Sequence, residues 1–142
     1  MDIEAPIGKW IAKLYKDHDQ FVDDLLCDYD LNHSEGNLLV YLYKDGDGVS
    51  QKTIKENLAV DKATISRSIR SLMDKGYLKK ERSLEDGRIN LIYLTDKAIK
   101  IKDEIREIYQ KWFHKFLGDI SEQDARQVIR TLKIMYKKVN QE

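Results

Sequence analysis

Arg67 and Arg70 stand three residues apart in "KATISRSIRSLMDKG", and Arg88 follows in "LEDGR". A guanidinium carries five donors in a planar fork, so arginines at this spacing can pair with phosphate oxygens or with the acceptor edge of a purine. Wound on a helix at about 100° per residue, Ala63, Ser66, Arg67, Arg70 and Asp74 fall on one side and Ile65, Ile69 and Leu72 on the other. The polar side has the groups of a base-reading face. Ala63 and the Thr64 methyl can meet a thymine methyl, Ser66 a base edge or phosphate, and the two arginines guanine or phosphate. Lys52, Lys55 and Lys62 can hold a phosphate backbone, as can the amide groups that follow Ser50 and Asp61.

Other chemistries fit the sequence poorly. Asp45, Asp47 and Glu56 fall at the first, third and twelfth positions of a calcium loop, but Val49 takes a ligand position and Ser50 replaces the required glycine. Cys27 is the one cysteine, and Asp23, Asp24 and Asp28 around it oppose the thiolate that redox sensing needs. His18, His33 and His114 could join it around zinc only if the fold gathers them, since none is spaced as a helical pair. No set of nucleophile, base and oxyanion donors appears, nor a glycine-rich phosphate loop, so the chain is expected not to be an enzyme and to carry no cofactor.

The elements that position these residues can be read from period and punctuation. Apolar residues at three-and-four spacing from Ile7 to Tyr29, with Pro6 at the first turn, predict one long amphipathic helix. In "LNHSEGNLLVYLY", Asn32 and Glu35 form a capping box ahead of Leu38, Leu39 and Leu42. Ser50 and Asp61 each cap a helix, with "AV" as the tight break between them, and Gly76 can end the second in a left-handed conformation. "YLKKERSLEDGRINLIYLT" reads as two strands around a turn at Asp86 and Gly87. Thr95 caps a helix expected to run unbroken to Gly118, and "SEQD" at Ser121 opens the last one.

At 142 residues and 16.7 kDa the chain fits one domain, yet the stripes of the terminal helices exceed what the short middle section can cover. Burial of those stripes against a second copy is the expected solution. Net charge is zero, but its distribution is uneven: −7 over residues 1–49, +4 over 50–95 and +3 over 96–142. The excess of positive charge coincides with the reading face. No run of about 18 apolar residues occurs, and the acidic start lacks the basic region of a signal peptide, so a soluble cytoplasmic protein without membrane contact is expected.

From Leu31 to Leu94, in "LNHSE", "VSQKTIKENLAVDKATISRSIRSLMDKGYLKKE" and "RSLEDGR", followed by Thr95 and "SEQD", the chain resembles the MarR (multiple antibiotic resistance regulator) family. The resemblance implies a mainly α (α+β) fold, with a winged helix-turn-helix lobe at 31–95 and long N- and C-terminal helices, 1–30 and 96–142, forming a dimerisation region. It implies a transcriptional regulator, more often a repressor, that binds a pseudo-palindromic operator in double-stranded DNA as a homodimer. Within that pattern Arg88 matches the arginine that enters the minor groove, Asp86 the acid that braces the wing, and Arg82 the residue that anchors that acid. A small phenolic or aromatic effector is implied between the dimer helices and the lobe, where Trp10, Tyr15, Tyr41 and Trp112 offer candidate lining. Redox- and zinc-responsive members exist in the family. A module that has lost DNA binding and works through protein contact would lack the basic residues that Arg67, Arg70 and Arg88 supply.

Overall fold

The computed structural model describes residues 7–141, so Pro6 lies outside the described residues. Helix α1 (Ile7–Leu26) opens the described chain. The periodicity that runs on to Tyr29 tightens into a 3₁₀ turn at Cys27–Tyr29, closed by Asp30 in the left-handed region at φ 58°. Helix α2 (His33–Asp45) begins with the expected box: Asn32 Oδ1 accepts from Glu35 N at 2.9 Å, and Glu35 Oε1 accepts from Asn32 N at 3.2 Å. Each such cap contributes about 1 kcal/mol to its helix.

A short strand β1 (Val49–Ser50) precedes α3 (Gln51–Asn57), and α4 (Lys62–Asp74) follows. Gly76, at φ 81°, ends α4 in a Schellman arrangement, with Tyr77 N donating to Leu72 O at 2.8 Å and Gly76 N to Met73 O at 3.0 Å. Strands β2 (Leu78–Arg82) and β3 (Asn90–Leu94) form the hairpin. They pair antiparallel from Leu78 with Leu94 to Arg82 with Asn90. The sheet gains a third member that the sequence pattern did not disclose, because β1 has two residues and pairs Val49 with Ile92.

Thr95 caps α5 (Asp96–Lys100), but the helix does not run unbroken to Gly118; it breaks at Ile101, and α6 (Lys102–Leu117) starts afresh. A side chain of α2 reaches the turn before the break. Burial raises the Tyr43 hydroxyl well above its ordinary pKa and keeps it a donor, and it donates to Ala98 O at 2.5 Å. That carbonyl is the acceptor a continuous helix would offer to Lys102, so the break and the Tyr43 contact fall on the same turn. Helix α7 (Glu122–Val139), capped by Ser121, ends the described chain.

The chain divides into two compact units, one ending at Tyr109 and one starting at Gln110. The first has a continuous core from α1 (Val22, Leu26), α2 (Leu38, Leu39, Leu42), α3 and α4 (Ile54, Ile65, Ile69, Leu72), the sheet (Leu78, Ile92) and α6 (Ile105, Ile108). Gly36 lets these layers meet: a Cβ there would stand 2.5 Å from Leu26 Cδ1 and 2.7 Å from the Tyr109 hydroxyl. In the second unit Trp112 stacks on Phe116 with ring centroids 5.2 Å apart, and an apolar stripe of α7, Val128, Ile129, Leu132, Met135, Tyr136 and Val139, is exposed.

Candidate nucleic-acid interface

Helix α4 turns Ile65, Ile69 and Leu72 inward, each at most 2% exposed, and this fixes what it shows outward. Lys62, Ala63, Arg67 and Arg70 are exposed, while Thr64 and Ser66 are half-buried along the edge. Helix α3 is locked to α4 by Ile54, fully buried, and by Gln51 Nε2, which donates to Ser66 Oγ at 3.1 Å. Ser66 therefore serves the helix pair as well as the outward face. Ser50 Oγ is engaged as the α3 cap, accepting from Thr53 N at 3.1 Å. Lys52 is exposed, and its ion pair with Glu56, at 4.0 Å between side chains that are mostly solvated, holds it only weakly.

The start of α4 is capped as expected: Asp61 Oδ1 accepts from Thr64 N at 2.8 Å, which places a carboxylate beside the amides expected to face a phosphate. Asp61 Oδ2 accepts from the Thr64 hydroxyl at 2.7 Å, and Thr64 Oγ1 in turn accepts from Arg67 Nη2 at 3.2 Å. The Thr64 hydroxyl bond, then the Thr64 amide bond and, more weakly, the Arg67 charge hold the Asp61 carboxyl below the usual carboxylate range.

The tip of the hairpin is tied by its own side chains. Ser83 Oγ accepts from Glu85 N and Asp86 N at 3.2 and 3.3 Å, and Asp86 Oδ1 accepts from Arg88 N at 3.0 Å. Asp86 thus braces the wing through the Arg88 backbone. Arg82, expected to anchor that acid, is exposed at the end of β2 and makes no ion pair or hydrogen bond to Asp86 among the described residues. Gly87 has no left-handed φ and nothing within 4 Å of a Cβ position, so the turn is not the tight glycine-dependent type its Asp-Gly pair suggests. Arg88 is exposed at this tip.

At its far end α4 is clamped by a cluster the sequence did not reveal. Glu35, 2% exposed, accepts from Lys75 Nζ at 2.9 Å and from Ser71 Oγ at 2.9 Å, while Lys75 Nζ also reaches Asp30 O at 2.5 Å. The capping box identified Glu35, but its partners lie 36 and 40 residues away, where no local pattern reports them.

Within the first unit the candidate ligand residues Tyr15 and Tyr41 border different hollows. Tyr15 borders a hollow of about 20 Å³ with His33, Asn37, Leu38, Val60 and Ile65. Tyr41 borders a different, open hollow, where its hydroxyl accepts from Asn57. Trp10 is 58% exposed beneath the ammonium of Lys13, and Trp112 belongs to the second unit. Cys27 is exposed and bonds the Asp24 carbonyl. His33 sits between Asp23 (2.9 Å) and Asp19 (3.6 Å), and His18 pairs with Asp19 at 3.3 Å. Among the described residues no three His, Cys, Asp or Glu side chains are placed to hold a metal ion. Asp47 spends Oδ1 on Leu94 N at 2.6 Å, which fixes the "DGDG" stretch as a turn against β3.

This arrangement has close parallels. The family model described as transcriptional regulator SarA/Rot matches residues 20–105. The HTH-type transcriptional regulator YdgJ of Bacillus subtilis (strain 168) is 27% identical over 110 residues, 78% of this chain and 66% of that protein. A MarR transcriptional regulator from Methanosarcina mazei Go1 superposes with a TM-score of 0.83 at 27% identity, covering 93% of this chain and 94% of that one. The Staphylococcus aureus MepR–DNA complex shares the fold, with a TM-score of 0.82 at 24% identity over 95% of this chain and 99% of that one.

Proposed function

The chain belongs to the SarA/Rot family of transcriptional regulators and has the MarR-type winged helix-turn-helix fold, and from that premise we propose that it represses transcription as a homodimer on a pseudo-palindromic operator. The observation that carries the proposal is the outward face of α4 with Arg67 and Arg70 exposed, joined to a wing that presents Arg88. Helix α4 would enter the major groove, with Ala63, Thr64, Ser66, Arg67 and Arg70 toward the bases. Ser50, Lys52 and Lys62 would face phosphates, and Arg88 the adjacent minor groove, where narrow width and strong negative potential favour a guanidinium. MepR, of the same fold, is solved on DNA.

Dimerisation is supported by two exposed apolar stripes, Ile7, Trp10, Ile11 and Leu14 on α1 and Val128 to Val139 on α7. Patches of this kind mark interfaces. The lobe at 31–95 would read DNA, and the helices of 1–30 and 96–142 would join the two copies. No described helix is long and apolar enough to cross a membrane, and we assign the protein to the cytoplasm. A small phenolic or aromatic effector would enter beside Tyr15 between α1, α2 and α4, where the hollow must widen from about 20 Å³ to admit it.

Titration of genomic fragments at several salt concentrations tests the proposal. Binding should be site-selective and fall steeply with salt. A purified protein that shows no selective binding at low salt would overturn it.

A further inference from the structure

We propose that Asp61 is a positioning residue for base recognition: its carboxylate orients the Thr64 hydroxyl, and that hydroxyl holds Arg67 in place before DNA arrives. The inference rests on the reading of α4 as the recognition helix. Three hydrogen bonds carry it, from Thr64 N to Asp61 Oδ1 at 2.8 Å, from Thr64 Oγ1 to Asp61 Oδ2 at 2.7 Å, and from Arg67 Nη2 to Thr64 Oγ1 at 3.2 Å.

A helix cap uses one side-chain oxygen, and Ser, Asn or Asp supplies it about equally well. Asp61 uses a second oxygen, and that oxygen takes the only proton of the Thr64 hydroxyl. With its proton committed, the hydroxyl can only accept, and the donor it meets is the guanidinium one turn along the same exposed face. An arginine in water samples many rotamers, and fixing it beforehand lowers the ordering cost of the contact it will make. The depressed Asp61 carboxyl, with the Thr64 hydroxyl as its largest cause, is in keeping with a bond made to the charged form.

The carboxylate has a second consequence. It stands on a face expected against phosphates, where a negative charge weakens attraction to any DNA sequence alike. Orientation of Arg67 strengthens one sequence, and the charge weakens all of them. The orientation raises the ratio of specific to non-specific binding, whereas the charge lowers both by a similar factor and leaves that ratio unchanged.

Two variants separate this role from capping. In Asp61→Asn the amide oxygen still caps Thr64 N, but the amide nitrogen cannot accept from the hydroxyl. Thr64→Val keeps the shape and removes the link. Affinities are measured at fixed salt for the selected site and for single-base substitutions of it, with Arg67→Ala identifying the base pair that Arg67 reads. Each variant should lower discrimination at that pair roughly three- to tenfold, around the lower end of what one bidentate base contact is worth, because the contact is loosened and not removed. The double variant should be no worse than either, and neither should matter in the Arg67→Ala background. Asp61→Asn should keep the fold and helical content of the parent, because the amide oxygen retains the cap.

Unchanged discrimination in Asp61→Asn and Thr64→Val, with Arg67→Ala still altering it, overturns the positioning role and leaves the recognition helix in place. A loss that persists without Arg67 also overturns it, since the effect then acts through the helix. If Arg67→Ala changes no base preference, the reading of Arg67 as a base contact and the role of Asp61 fall together.

Discussion

Arg88 and Arg70 should fail in different ways when truncated. Arg88 is carried on a wing tip tied by Ser83 and Asp86, on a different element from α4, and in the proposed complex it would meet a minor groove, where a guanidinium responds to width and potential more than to base identity. Arg88→Ala should therefore weaken binding to all good sites by a similar factor and reduce the salt slope by about one. Arg70→Ala should cost about 1–3 kcal/mol at the preferred site and relax the choice at one base pair. Competition between site variants at two salt concentrations separates the two patterns, and identical profiles for both mutants would remove the assignment of groove to residue. Two glycines, one at the wing tip and one in the core, make opposite predictions for stability. Gly87→Ala meets open space at an ordinary φ and should leave stability unchanged or raise it by up to about 1 kcal/mol through the unfolded chain. Gly36→Ala puts a methyl into Leu26 and the Tyr109 hydroxyl and should destabilise by about 1–3 kcal/mol, read from denaturant midpoints.

Helix α4 is positioned at both ends, by Asp61 at its start and by the Glu35 cluster near its finish. Lys75→Met would leave the Glu35 carboxylate buried without its counter-charge, and removing one partner of a buried pair typically costs about 3–5 kcal/mol. Glu35→Leu combined with Lys75→Met should recover most of that loss, short of the capping box, about 1 kcal/mol, that Glu35 also completes. Chemical denaturation of the four members of the cycle measures the coupling, and a Lys75→Met protein as stable as the parent would show that the clamp contributes nothing. These elements also mark how far the sequence could be read. Asn32, Ser50, Asp61, Thr95 and Ser121 all cap as expected because a cap is decided within three residues. The break at Ile101 was not legible, because the apolar period runs through it and the Tyr43 hydroxyl that contacts that turn comes from 55 residues away. The outward arginines of α4 were legible because helical period alone sorts Arg67 and Arg70 from Ile65 and Ile69. The relay through Thr64 and the clamp at Glu35 depend on rotamers and on tertiary approach, which period does not encode.

At the scale of the molecule, the exposed stripe of α7 decides whether one copy can act alone. Leu132 is 45% exposed in the single chain, amid Val128, Ile129, Met135 and Tyr136, so a charge placed there should cost a lone copy little. In the proposed dimer the same charge would be buried without a partner, which the interface cannot tolerate. Leu132→Glu should therefore keep the helical content of the parent while its sedimenting mass falls from twice 16.7 kDa to a single copy. DNA binding should weaken far more than a single lost contact would cause, because two recognition helices held together bind two half-sites at a high effective concentration and separate chains do not. Restoring proximity by fusing two Leu132→Glu chains through a flexible linker should then recover part of the affinity without restoring the half-site spacing preference. A parent protein that sediments as one copy at micromolar concentration, or a Leu132→Glu variant that keeps both the double mass and full affinity, would show that the stripe of α7 serves some purpose other than joining two copies.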